Sequence, residues 1–246
     1  MSAERDLFPG RECGIIIAAD VTTLPDLQSL AALGASVREV AAIKVGFSLA
    51  LRHGLPAVVG AIKEVTQLPV IFDHQKAGTD IPQMGEPFSL ACREAGAQAV
   101  IIFPHSGPRT LEGFVKGAFE HGLVPIVGLV MTHPAYLQSE GGYLRDDAPE
   151  LICDSALSLG VTDFVLPGTK RDVVRRFSKS ILGGVENVTI MMPGIGTQGG
   201  SIKSAFEAAV PHRRFAIVGS AIYAAADPKL ALENLVREFE PNAESC

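Results

Sequence analysis

Eight short apolar runs recur along this chain of 246 residues, each followed by a longer segment whose apolar residues fall at helical spacing. The runs cover 14–19, 41–45, 69–72, 98–103, 124–130, 163–166, 188–192 and 214–218. The helical segments cover 25–33, 49–65, 88–95, 111–121, 149–159, 172–181, 202–209 and 228–238. Short continuous apolar runs are what strands buried on both faces require, as in a parallel sheet covered by helices. Strict alternation of strand and helix implies parallel strands joined by helical crossovers. Eight such units in about 250 residues predict a closed (β/α)8 TIM barrel, an α/β fold with the whole chain, 1–246, as a single domain. An open doubly wound sheet is the alternative, because counting units does not establish closure. A hydrophobic fraction of 47% and a mean hydropathy of +0.27 supply the apolar material for such a core.

The same composition excludes several classes. No apolar run approaches the roughly 20 residues of a membrane span, and the charged N-terminus, Met-Ser-Ala-Glu-Arg-Asp, lacks the apolar stretch of a secretory signal. Cys13, Cys92, Cys153 and Cys246 are widely scattered with no Cys-x-x-Cys pair, so no zinc or thioredoxin-like motif is signalled. Reduced thiols and a cytoplasmic setting are expected. The net charge of −6 argues against a nucleic-acid partner, so an anionic ligand must be captured by a local site.

In a barrel of this kind the chemistry lies on the loops that follow the strands, and polar residues gather at those positions. The first run ends in Asp20, the second carries Lys44, and the third ends in Asp73-His74-Gln75-Lys76-Ala77-Gly78-Thr79-Asp80-Ile81-Pro82. Carboxylates bracketing a lysine suit a site that holds an ammonium beside a substrate and delivers a proton from it. A structural ion-pair network is the plainer reading of each charge taken alone; their shared location favours catalysis. The fifth run ends in Thr132-His133-Pro134 and the eighth in Gly219-Ser220. The seventh leads into Pro193-Gly-Ile-Gly-Thr-Gln198-Gly199-Gly200. Its glycines allow backbone amides to approach an anion, and phosphate sites of such barrels use the loops after strands seven and eight.

Taken in order, Asp20, Lys44-Val45-Gly46, the Asp–Lys–Asp-Ile-Pro segment, Thr132-His133-Pro134, the Pro-Gly-Ile-Gly-Thr-Gln-Gly-Gly loop and Val218-Gly-Ser-Ala-Ile-Tyr223 resemble the orotidine 5′-phosphate decarboxylase family over nearly the whole chain. The resemblance implies decarboxylation of orotidine 5′-phosphate to UMP, the last step of de novo pyrimidine synthesis, without metal or organic cofactor. It implies that Asp20 and Lys44 contact the ribose, that Asp73 crowds the substrate carboxylate and that Lys76 donates the proton. Asp80 would complete the site of a neighbouring subunit in a homodimer. Thr132 would hydrogen-bond the pyrimidine, and Gln198 with the amides around Gly199, Gly219 and Ser220 would hold the phosphate. The loop 194–200 is the expected lid.

The chain departs from the family pattern at definite places. The family spacing is Asp-x-Lys-x-x-Asp, whereas Asp73, Lys76 and Asp80 span two more residues. Residues i and i+3 of a strand do not share a face, so the chain must bulge or leave the strand early. Ser220 stands where the family carries a phosphate-binding arginine, and neutral hydroxyls lack its charge and fork geometry. Lys203 is the expected replacement, with Arg213 and Arg214 as alternatives. Two other functions remain open: a Mg²⁺-dependent sugar-phosphate decarboxylase or aldolase of the same superfamily, and a non-catalytic phosphate-binding barrel. Lys44 argues against the first, since Mg²⁺ requires oxygen donors.

Overall fold

The computed structural model describes residues 6–74 and 78–238. Its strands are β1 (Cys13–Ala18), β2 (Val40–Gly46), β3 (Val70–Asp73), β4 (Ala99–Ile102), β5 (Val124–Gly128), β6 (Asp163–Val165), β7 (Thr189–Pro193) and β8 (Arg213–Val218). They pair in sequence order, all parallel, and β8 returns to β1 through registers such as Ile15↔Ala216, closing the expected (β/α)8 barrel. The helices are α1 (Leu24–Ala35), α2 (Phe47–His53), α3 (Leu55–Lys63), α4 (Gly85–Glu94), α5 (Pro108–Glu120), α6 (Ala148–Ser158), α7 (Arg171–Arg176), α8 (Ile202–Ala209), α9 (Ser220–Tyr223) and α10 (Pro228–Arg237).

The sequence pattern missed two details of the helices. The segment expected to be one helix over 49–65 breaks into α2 and α3 at Gly54, whose φ of 78° is incompatible with continuation. The single turn α9 is too short to show a periodicity. Elsewhere the ends follow from local chemistry: the Thr23 and Asp227 side chains accept hydrogen bonds from the first turns of α1 and α10.

Strand alternation builds the barrel from the inside. Ile15 and Ile17 face the helices, whereas Ile16, Ala18, Ala42, Ile71, Ala99, Ile101, Ile126, Met191, Phe215 and Ile217 fill the interior. Continuing two residues beyond Ala18, Ala42 and Ile71 on the same face brings Asp20, Lys44 and Asp73. An apolar interior thus gives way to a charged layer at the carboxyl ends of adjacent strands.

At the opposite end Phe8 plugs the barrel against Phe215, ring centroids 4.0 Å apart. Arg213 ties this plug down through Asp6 (2.9 Å) and the carbonyl of Arg11 (2.9 Å). Arg214 is buried beside them. Both arginines are therefore committed far from the strands' carboxyl ends, which removes them as phosphate ligands. Cys92 and Cys153 are free and buried, burial pushing both thiols up to about 12.

Asp163, at the start of β6 beside Thr189 and Arg213, carries a carboxyl raised to about 7, chiefly by burial, against hydrogen bonding from Thr189 and the charge of Arg213. The native state therefore holds a proton that the unfolded chain releases near pH 4, so this group's contribution to stability falls as pH rises from about 4 to about 7. Asp163→Asn should remove that decline. Its melting temperature should gain on the parent across this window and run parallel to it above about pH 8. Parallel profiles across the whole range would show that Asp163 does not titrate there.

Candidate active site

Three neighbouring strands bring the first charged cluster together. Ala18 on β1 pairs with Lys44 on β2, and Gly46 pairs with Asp73 at the end of β3. Lys44 Nζ donates to Asp73 Oδ2 at 2.9 Å and lies 3.7 Å from Asp20 Oδ1. Lys44 and Asp73 are buried, while the Asp20 side chain is 46% exposed at the cavity mouth. Burial alone would lower the Lys44 ammonium; Asp73 and Asp20 outweigh it and hold the pKa above the ordinary lysine value. Gly46 packs close beside them: a Cβ there would stand 3.1 Å from Asp20 Oδ1, and that carboxylate would have to yield.

Strand β3 ends at Asp73, so the chain leaves the sheet immediately after the first acid, as the widened spacing requires. Lys76 lies outside the described residues. At Gly78 (φ 84°) a Cβ would come within 2.7 Å of Ile102 and 3.1 Å of the Phe103 backbone. Thr110 on α5 then donates to the Asp80 carbonyl at 2.8 Å. The close approach of α4 and α5 secures this region, since a Cβ on Gly85 would meet the Gly113 carbonyl oxygen at 2.3 Å. The Asp80 carboxylate is exposed, accepts from the Ile81 amide, and does not line the cavity of its own chain.

The cavity at the carboxyl ends of the strands measures about 360 Å³, within the range of small-molecule sites. Asp20, Lys44, Asp73, Thr132, Gln198, Gly219 and Ser220 all line it. Gly199 does not; its φ of 88° turns the loop, and its amide donates to the Gly196 carbonyl at 2.8 Å. In this conformation the amide expected on the phosphate is engaged within the loop. The loop 194–200 closes on itself through that bond and two more, Gly196 to the Gly200 carbonyl and Gly200 to the Gly194 carbonyl.

Sequence reasoning overlooked the apolar wall of Ile101, Phe103, Val165 and Ile217. The signal was present, because these are inward positions near strand ends, yet nothing in their type distinguishes them from core. It also overlooked Thr197, whose hydroxyl lies 2.7 Å from that of Ser220 and bridges the seventh and eighth loops. Lys203 is exposed on α8 and does not line the cavity. Among the described lining residues Lys44 is the only lysine or arginine, so the expected replacement for the family arginine is absent from this rim.

The sequence of residues 14–235 matches the model of the orotidine 5′-phosphate decarboxylase / HUMPS family. The orotidine 5′-phosphate decarboxylase of Methanosarcina mazei is 33% identical over 232 residues, covering 94% of this chain and 96% of that protein. The crystal structure of orotidine 5′-phosphate decarboxylase from Pyrococcus horikoshii OT3 superposes with a TM-score of 0.74 at 25% identity, covering 91% of this chain and 98% of that one. The enzyme from Methanocaldococcus jannaschii, complexed with the inhibitor BMP, gives a TM-score of 0.79 at 24% identity over 92% of this chain and 98% of its own, a likeness of fold. Nine-tenths of the chain matches in sequence and the barrel matches in fold: the chain belongs to the orotidine 5′-phosphate decarboxylase / HUMPS family.

Proposed function

We propose that this carboxy-lyase converts orotidine 5′-phosphate to UMP, the last step of de novo pyrimidine synthesis, without metal or organic cofactor and in the cytoplasm. The observation that carries the reading is the Asp20–Lys44–Asp73 assembly opening into the cavity, three residues ahead of Lys76 in the sequence. Ribose hydroxyls suit the exposed Asp20 carboxylate and Lys44. The pyrimidine fits between Thr132 and the apolar wall, and the phosphate fits the Gln198, Thr197, Ser220 and Gly219 end.

In the reaction the bond from C6 to the carboxylate breaks, CO₂ departs, and the electron pair stays on C6. A vinylic carbanion of this kind has no adjacent electron sink, so catalysis rests on preorganised charge. Asp73, fixed by Lys44, would face the substrate carboxylate and disfavour it before the bond breaks. The Lys76 ammonium would then give its proton to C6. Binding energy from the remote phosphate would hold the reacting end in register.

A magnesium mechanism suits these residues poorly. Asp20 Oδ1 and Asp73 Oδ2 already face the Lys44 ammonium, and a cation beside it would meet its positive charge. Among the described residues no cluster of three His, Cys, Asp or Glu could hold a metal ion.

The exposed position of Asp80 supports a homodimer with shared sites. It is flanked by exposed apolar side chains, Ile81 (59%) and Met84 (41%), a surface suited to contact with a second copy.

Purified protein should abolish the ultraviolet absorbance of orotidine 5′-phosphate as UMP forms, at the same rate with and without EDTA. Turnover of a sugar phosphate that needs Mg²⁺, with orotidine 5′-phosphate inert, would overturn the reading, as would UMP binding without turnover. Lys76→Ala should lose all measurable turnover while keeping the melting transition and UMP binding; a substantial residual rate would assign the proton to another group.

The shared site is tested by mixing Lys76→Ala with Asp80→Ala subunits. Each alone should be inactive, and the mixture should regain activity, because one hybrid site receives both residues intact. A mixture that stays inactive after verified subunit exchange would disprove sharing.

A further inference from the structure

Outside the charged cluster, a second polar assembly lies behind the cavity wall. Residues 129–136 form a loop after β5 whose central part, Val130, Met131, Thr132 and His133, lines the cavity. The loop returns to its origin at Tyr136, which is 6% exposed. The Tyr136 hydroxyl donates to the Leu129 carbonyl at 3.4 Å and lies 2.9 Å from His105 Nε2 on the loop after β4. A phenol has one proton, so the arrangement that satisfies both contacts has His105 Nε2–H donating to the hydroxyl while the hydroxyl donates to Leu129. Burial pushes the phenol up to about 12, which keeps it a neutral donor at working pH.

The rings reinforce this closure. His105 packs between Phe103 and Tyr136, each 5.7 Å away by centroid, and His133 stands edge-on to Tyr136 at 5.8 Å. Phe103 and His133 both line the cavity. The Tyr136 amide donates to Glu140 (3.2 Å), and Glu140 is held by Lys170 at 2.7 Å. Directly before Tyr136, Ala135 has a φ of 57°, a conformation that non-glycine residues keep only where their surroundings enforce it. On its other side Thr132 meets Gly194, where a Cβ would stand 3.2 Å from Thr132 Cγ2.

We infer that Tyr136, locked by His105, is a positioning residue that holds Thr132 against the bound pyrimidine. The inference rests on the proposed contact between Thr132 and the base. Tyr136 itself touches no substrate. Removing its hydroxyl frees the closing end of the loop, so the effect falls on the base contact and spares the ribose and phosphate contacts, which come from β1, β2 and the loops after β7 and β8.

The test is the affinity of UMP relative to ribose 5-phosphate, measured by calorimetry on the full chain. Thr132→Ala should lower that ratio roughly fivefold, the loss of about one neutral hydrogen bond. Tyr136→Phe should lower it comparably with ribose 5-phosphate binding unchanged, and Tyr136→Phe in the Thr132→Ala background should add nothing. His105→Gln, which keeps an amide donor, should retain more of the ratio than His105→Ala and provides a readout if Tyr136→Phe folds poorly. An unchanged ratio in both Tyr136→Phe and His105→Ala, with Thr132→Ala impaired, would overturn the positioning role. Equal weakening of both ligands would also overturn it, by showing general loosening. No effect of Thr132→Ala would instead remove the proposed base contact and the inference with it.

Discussion

The Lys44–Asp73 ion pair sets the terms for the rest of this molecule. A buried ammonium and a buried carboxylate are each costly to desolvate, and removing either partner strands the other. Here they meet at 2.9 Å, with Asp20 adding a second carboxylate at 3.7 Å from the exposed side. The assembly is possible because β1, β2 and β3 are adjacent and their registers set Lys44 one inward step below Asp20 and Asp73, between the two carboxylates. The parallel barrel supplies that geometry, and the apolar layers beneath make the charged layer rigid.

The two ends of the barrel divide their tasks. At the amino ends of the strands Phe8, Phe215, Arg213 and Asp6 close the interior. At the carboxyl ends the strands stop early and leave a cavity, with glycines placed where side chains or backbones approach closely, as at Gly46 and Gly78. The rim opposite the ion pair carries the Thr197–Ser220 hydroxyl pair and Gln198. Phosphate recognition there would rest on neutral donors, each about half as strong as a charge-assisted bond.

Much of this was legible in the chain. The eight apolar runs mark all eight strands because fully buried strands leave a continuous signal, and Asp20, Lys44 and Asp73 stand out as charges where such runs end. The break at Gly54 was less visible, since one glycine in a helical pattern does not reveal its φ. Lys203 was expected at the phosphate because it follows the glycine loop in sequence, yet its turn of α8 carries it outward. Gly199 was read as a ligand amide, whereas its amide closes the loop. The Tyr136–His105 contact joins residues 31 apart through two loops, a pairing that no local pattern encodes.

The central claim is that Lys44 and Asp73 act as one electrostatic unit in the decarboxylation. A double-mutant cycle with Lys44→Gln, Asp73→Asn and the combined variant, read as kcat/KM for orotidine 5′-phosphate, tests it directly. Each single change should cost on the order of 100-fold or more, the range for removing one preorganised charge-stabilising group. The double variant should be little worse than the more damaged single one, because groups acting together do not lose activity independently. Losses that multiply, or single variants that keep near-parental rates, would contradict the account.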